Sequence, residues 1–143
     1  MYWENVKRTA VEKHKEIIES RIQDMNLSCV IHQSWGNVSV SGDWNPTHSH
    51  TGMISGVGYL RLPDDIDKEW EDDYKDHFPS NGHINFSYGV DNKYGCANML
   101  IKPRVGDFFV FPNYLFHCVY PFYTKGERRS FSMNMTFYKQ IIN

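Results

Sequence analysis

Between Cys29 and Tyr138 the apolar residues recur at every second position in short runs, the period of a strand with two unlike faces. Before Asn26 they recur at every third or fourth. There Trp3, Val6, Ala10, Ile17, Ile18 and Ile22 form one stripe and Lys7, Arg8, Lys13, Lys15, Glu16 and Glu19 the other, which predicts a helix over residues 1–26 packed on a sheet. Strands are predicted at Cys29–Trp35, Asn37–Val40, Met53–Leu62, His83–Tyr88, Ala97–Lys102, Asp107–Phe111, His117–Val119 and Arg128–Tyr138. In the third of these Ser55, Val57 and Tyr59 share one face and Ile54, Leu60 and Leu62 the other. Gly56 and Gly58 leave room there for a close neighbour, either backbone or ligand. Pro63–Gly82 is acidic and shows no period, and so long a connection is expected to be a functional flap or a solvated excursion. Short strands joined by tight turns predict a mainly β, closed or nearly closed architecture, which leaves no sheet edge exposed. The whole chain, residues 1–143, is expected to form a single domain.

Composition agrees with a globular β protein: 41% of residues are hydrophobic, with nine Phe, nine Tyr and four Trp that favour strands. A net charge of −2 and the lack of a Lys/Arg stripe exclude a nucleic-acid surface. No apolar run reaches membrane-spanning length. The three cysteines, Cys29, Cys96 and Cys118, are far apart and show no paired spacing, so neither a disulfide framework nor a structural zinc site is expected. A reducing, cytoplasmic setting fits that usage.

Candidate chemistry gathers at Gly42–His50, GDWNPTHSH. His48 and His50 stand one residue apart on an extended segment and project to the same side, where they can grip one ion. A third histidine, His117, follows the buried-strand pattern Asp107–Phe111 and the turn at Pro112. Three neutral imidazoles suit iron, zinc, copper or nickel far better than calcium or magnesium. Arg128 opens a strand whose even positions, Arg128, Ser130, Ser132 and Asn134, make a polar face opposite Phe131, Met133 and Met135. His14 and His32 are expected to be ordinary helix and strand residues.

The motif skeletons Gly42 to His48-Ser49-His50 and Gly106 to Pro112 to His117 resemble the cupin-type double-stranded β-helix, or jelly roll. No acid lies in Thr51–Val57, and Tyr114 stands where that pattern has glycine. A closer resemblance is to iron(II)/2-oxoglutarate-dependent oxygenases of the prolyl-hydroxylase-like group, in particular a small set from phages and marine bacteria. It rests on Ser34, Trp35 and Asn37, on His48 and His50, on Ser55–Leu60, on Gly106–Pro121 and on Arg128–Asn134, and so covers Trp35 to about Tyr138. It implies a double-stranded β-helix in which His48, His50 and His117 bind iron(II) and act as the catalytic centre. Most relatives carry an acid where His50 stands, and an acid such as Asp43 or one from the acidic loop is the alternative third ligand. The resemblance further implies that 2-oxoglutarate is held by Arg128, with Tyr59, Ser130 and Asn134 beside it, and that Arg129 faces away. Dioxygen would be the second co-substrate, and the hydroxylated substrate is open, a peptidyl residue such as proline being one example. Trp35, Trp44, Trp70, Phe122 and Tyr123 are candidates to line a peptide groove. Two other classes stand beside this one: a cupin-type three-histidine enzyme without 2-oxoglutarate, and a β-barrel binding module without catalysis.

Overall fold

Among the described residues eight strands pair into two antiparallel four-stranded sheets, with core side chains reaching between them. The computed structural model describes residues 15–16, 27–71 and 80–139. The strands are β1 (Leu27–Ser39), β2 (Asn45–His48), β3 (Ile54–Arg61), β4 (Ile84–Ser87), β5 (Asn98–Ile101), β6 (Phe108–Pro112), β7 (Phe116–Val119) and β8 (Arg128–Lys139). One sheet runs β1-β8-β3-β6 and the other β2-β7-β4-β5. This is the mainly β jelly-roll architecture expected. By compactness the chain divides into residues 1–30 with 137–143, and residues 31–136. The candidate site belongs wholly to the second unit.

The core forms because β4 and β6 point alternate apolar residues at each other. Ile84 and Phe86 from one sheet meet Phe111 from the other, with Val57, Ile101, Phe109, Leu115 and Val119 around them. The Phe86 and Phe111 rings lie edge to face with centroids 4.8 Å apart, a favoured aromatic geometry.

Three sequence expectations change. Cys29–Trp35 and Asn37–Ser39 are parts of one strand, which ends before Val40, because Gly36 keeps extended backbone and lets pairing continue past it. The neighbour of Gly56 and Gly58 is neither backbone nor ligand: Phe108 and Phe131 stack over them at 5.6 Å with planes 12° apart. A Cβ on Gly58 would run into the Phe131 ring. The acidic stretch contains a six-residue helix, α1 (Ile66–Glu71). Its one and a half turns are too short to show a period in sequence, and tertiary contacts hold it. Ile66 is buried under Gly82, and the Trp70 indole N–H donates to the Asn81 carbonyl at 2.8 Å. The predicted N-terminal helix lies outside the described residues, apart from the helical pair Lys15 and Glu16.

Candidate metal centre and co-substrate pocket

His48 and His117 are brought together by strand pairing, since β2 and β7 run antiparallel with these two residues in register. His50 lies beyond the end of β2, so periodicity alone does not hold it. Instead its N–H donates to the Asn113 carbonyl at 2.9 Å and its own carbonyl accepts the Asn113 side-chain amide at 3.0 Å. Asn113 thus clamps the His50 backbone from both sides. Sequence reasoning missed it, because an Asn after Pro112 looks like any turn residue. Trp35 closes against the His50 ring, with centroids 5.6 Å apart.

The ligating nitrogens of the three rings lie within 4.8 Å of one another, and His50 Nε2 is 3.3 Å from His117 Nε2. A transition metal bonds such nitrogens at about 2.1 Å, so the three lie near the spacing that one shared ion would draw together. Tautomers are set by the backbone: His48 Nδ1 donates to the Pro46 carbonyl at 2.6 Å and His117 Nδ1 to the Leu115 carbonyl at 3.1 Å. A carbonyl only accepts, so in the neutral ring each Nε2 keeps its lone pair for an ion. Burial lowers the His117 pKa to about 4; the Leu115 hydrogen bond opposes this and the neighbouring His48 and His50 charges add to it. Burial, followed by the charge of His48, lowers that of His50 as well. Both rings are therefore neutral at pH 7, the form a metal requires. Neither Asp43 nor any other acid joins the cluster among the described residues.

From the cluster a cavity of about 550 Å³ extends between the sheets to Arg128. That size accommodates a small ligand. Arg128 is 4% exposed, its Nη1 donates to the Tyr120 carbonyl at 3.2 Å, and its guanidinium lies 5.4 Å over the Phe122 ring. Burial lowers its pKa, while the nearby Tyr59 and Asp43 work to keep the proton. Tyr59 is opposite Ser130 on the paired strands β3 and β8, so both share the face that carries Arg128. The Tyr59 hydroxyl is buried and has no hydrogen-bond partner among the described residues. Burial raises its pKa to about 12, against the opposing pull of Arg128, so the phenol keeps its proton and remains a donor. A buried donor left unmatched is costly, and here it faces a buried cation. Both groups are complementary to a carboxylate.

Ser130 lines the cavity, and so does Ser132, whose hydroxyl accepts from the Asn37 amide at 3.3 Å. Asn134 is absent from the lining; its amide accepts from Ser55 at 2.8 Å and donates to Gln33 at 3.1 Å. Arg129 is exposed and pairs with Glu127 at 2.7 Å, on the opposite face as expected. Of the candidate groove aromatics, Trp35 and Trp44 line the cavity. Phe122 is fully buried beneath Arg128, Tyr123 is exposed, and Trp70 lies in a separate recess with Lys102 over its ring. His32 sits on exposed strand, hydrogen-bonded to Thr136 at 3.0 Å.

Two facing sheets that gather histidines at one end and a buried cation deeper in define a double-stranded β-helix protein with a candidate metal site. Residues 33–134 match the family model described as "Putative 2OG-Fe(II) oxygenase", and the chain belongs to that family. Membership implies iron(II) and 2-oxoglutarate, and the three imidazoles fit that metal. Among solved structures the fold is similar to an oxidoreductase of the 2OG-Fe(II) oxygenase family from Burkholderia pseudomallei. The TM-score is 0.55 at 15% identity, over 78% of this chain and 47% of that one. A prolyl-4-hydroxylase from Pseudomonas putida matches with a TM-score of 0.47 at 16% identity, over 94% of this chain and 63% of that one. The chain thus spans between about half and two thirds of the length of these neighbours. No curated protein matches it. No helix among the described residues is long and apolar enough to cross a membrane.

Proposed function

We propose that the chain is an iron(II)/2-oxoglutarate-dependent oxygenase that hydroxylates a C–H bond, with His48, His50 and His117 as the iron ligands and Arg128 and Tyr59 as the 2-oxoglutarate carboxylate site. The observation that carries this reading is the unpartnered Tyr59 hydroxyl in the same cavity wall as the buried Arg128 guanidinium. Iron with 2-oxoglutarate and dioxygen supplies the oxidising chemistry, yielding succinate, carbon dioxide and a hydroxylated product. The chain's own part is to present three imidazoles on one side, leaving the other side open. Arg128 and Tyr59 anchor the far carboxylate, with the Ser130 hydroxyl at hand, and the Phe86, Phe111 and Ile84 side chains exclude water. Substrate reaches the centre past Trp35 and Trp44, and a peptidyl residue such as proline is the first candidate for that position.

A cupin-type three-histidine enzyme without 2-oxoglutarate would leave Arg128 without a use. The test is an anaerobic titration of the iron(II)-loaded protein with 2-oxoglutarate, followed by the visible charge-transfer band of the chelate. A band in the wild type that is lost in Arg128→Ala at concentrations saturating the wild type and returns only at far higher 2-oxoglutarate, with iron still bound, is expected. Iron binding with no response to 2-oxoglutarate refutes the proposal. Succinate release stimulated by one member of a peptide panel would then identify the substrate.

A further inference from the structure

We propose that Glu69, outside the cavity, is a positioning residue for Arg128, acting through the segment Tyr120–Thr124. This rests on the reading above, in which Arg128 receives the co-substrate carboxylate. Two contacts define where the guanidinium points, the Tyr120 carbonyl and the Phe122 ring, and both come from that one segment. From Tyr120 to Tyr123 it has no regular secondary structure, so its course depends on groups outside it. Backbone ties hold its first half: Tyr120 N–H donates to the His83 carbonyl at 2.9 Å, Gly82 N–H to Pro121 at 2.8 Å and Gly42 N–H to Phe122 at 2.8 Å.

The second half is tied by side chains. Ser41 donates to the Tyr123 carbonyl at 3.0 Å. Glu69 Oε1 accepts two successive N–H groups, that of Tyr123 at 2.7 Å and that of Thr124. A carboxylate accepting from two amides makes charge-assisted bonds, stronger than neutral ones. It therefore fixes the stretch immediately after Phe122, the ring on which the guanidinium rests. Glu69 does not line the cavity and touches no candidate ligand. Its effect on the site has to pass through the segment it ties, which carries the Phe122 ring under Arg128.

Affinity for 2-oxoglutarate should accordingly respond to Glu69 while iron affinity does not. In Glu69→Ala the two amides lose their acceptor, and the dissociation constant for 2-oxoglutarate, read from the anaerobic titration, is expected to rise roughly tenfold. Glu69→Gln keeps an acceptor in place without the charge and should fall between the wild type and Glu69→Ala, and Glu69→Asp, whose oxygen is drawn back by one methylene, should be weaker still. In an Arg128→Ala background Glu69→Ala should add nothing, because the two residues act in series. Purely structural damage would instead lower iron affinity in parallel and add to the Arg128 effect. Unchanged 2-oxoglutarate affinity in Glu69→Ala, an additive double-mutant cycle, or parallel loss of iron each overturns the inference. Should Glu69→Ala fail to fold, the Gln and Asp variants decide it, and an order with Asp tighter than Gln is the refuting result. A wild-type protein that takes iron but ignores 2-oxoglutarate overturns the functional reading itself. A wild type that responds while Glu69→Ala responds equally overturns only the role of Glu69.

Discussion

Replacing Tyr59 by Phe should move stability and co-substrate affinity in opposite directions. The Tyr59 hydroxyl is buried with no partner among the described residues, so its removal relieves a desolvation cost and leaves the ring packing unchanged. An unsatisfied buried hydroxyl costs about 1–3 kcal/mol, and with partial relaxation the variant should gain about 1 kcal/mol. With 2-oxoglutarate bound, the same hydroxyl would donate to a carboxylate, a bond to a charged group worth about 1.5–3 kcal/mol. Its loss corresponds to weakening by a factor of about ten to a hundred. Urea unfolding in chelator measures the first quantity and the anaerobic titration the second. A Tyr59→Phe protein that is less stable without ligand would mean that the hydroxyl has a partner in the free state. One that binds 2-oxoglutarate as the wild type does would remove Tyr59 from the carboxylate site. Either outcome refutes the reasoning, since both signs derive from the same unpaired atom.

His117→Ala should abolish iron loading while circular dichroism retains the β signature; retained iron stoichiometry would exclude His117 as a ligand. Because the folded-state pKa of His117 lies near 4, below its ordinary 6.5, the unfolded chain takes up the proton first on acidification. Stability of the metal-free protein should therefore fall as pH drops from 6.5 toward 4, and His117→Gln should flatten that slope in chelator-containing urea melts. An identical slope in the variant would assign the effect to another group. Gly58→Ala should destabilise by about 1–3 kcal/mol, because the new Cβ meets the Phe131 ring. An unchanged urea midpoint would show that the ring moves aside freely.

Strand positions were legible because alternation reports directly which side of a sheet a residue faces. The polar set Arg128, Ser130 and Ser132 on β8 was visible on that basis, and so were the inward Val57 and Tyr59 of β3. Less was legible where position depends on contacts distant in sequence. Nothing local marks α1, whose Ile66 and Trp70 are held by residues about Asn81 and Gly82. Asn134 has the periodicity of a pocket residue, yet Ser55 and Gln33 occupy its amide.

Residue type and spacing alone determined a β-rich chain with three metal-capable imidazoles and one polar strand face. That His48 and His117 converge was decided by the pairing of β2 with β7, and His50 joins them because Asn113 holds its backbone. Only the stacking of two sheets placed Arg128 on the Phe122 ring, in one cavity with the unpartnered Tyr59 hydroxyl. The physical reason is range: periodicity encodes the direction of a side chain relative to its own strand, whereas a binding site requires distances between strands that pair and pack only after folding.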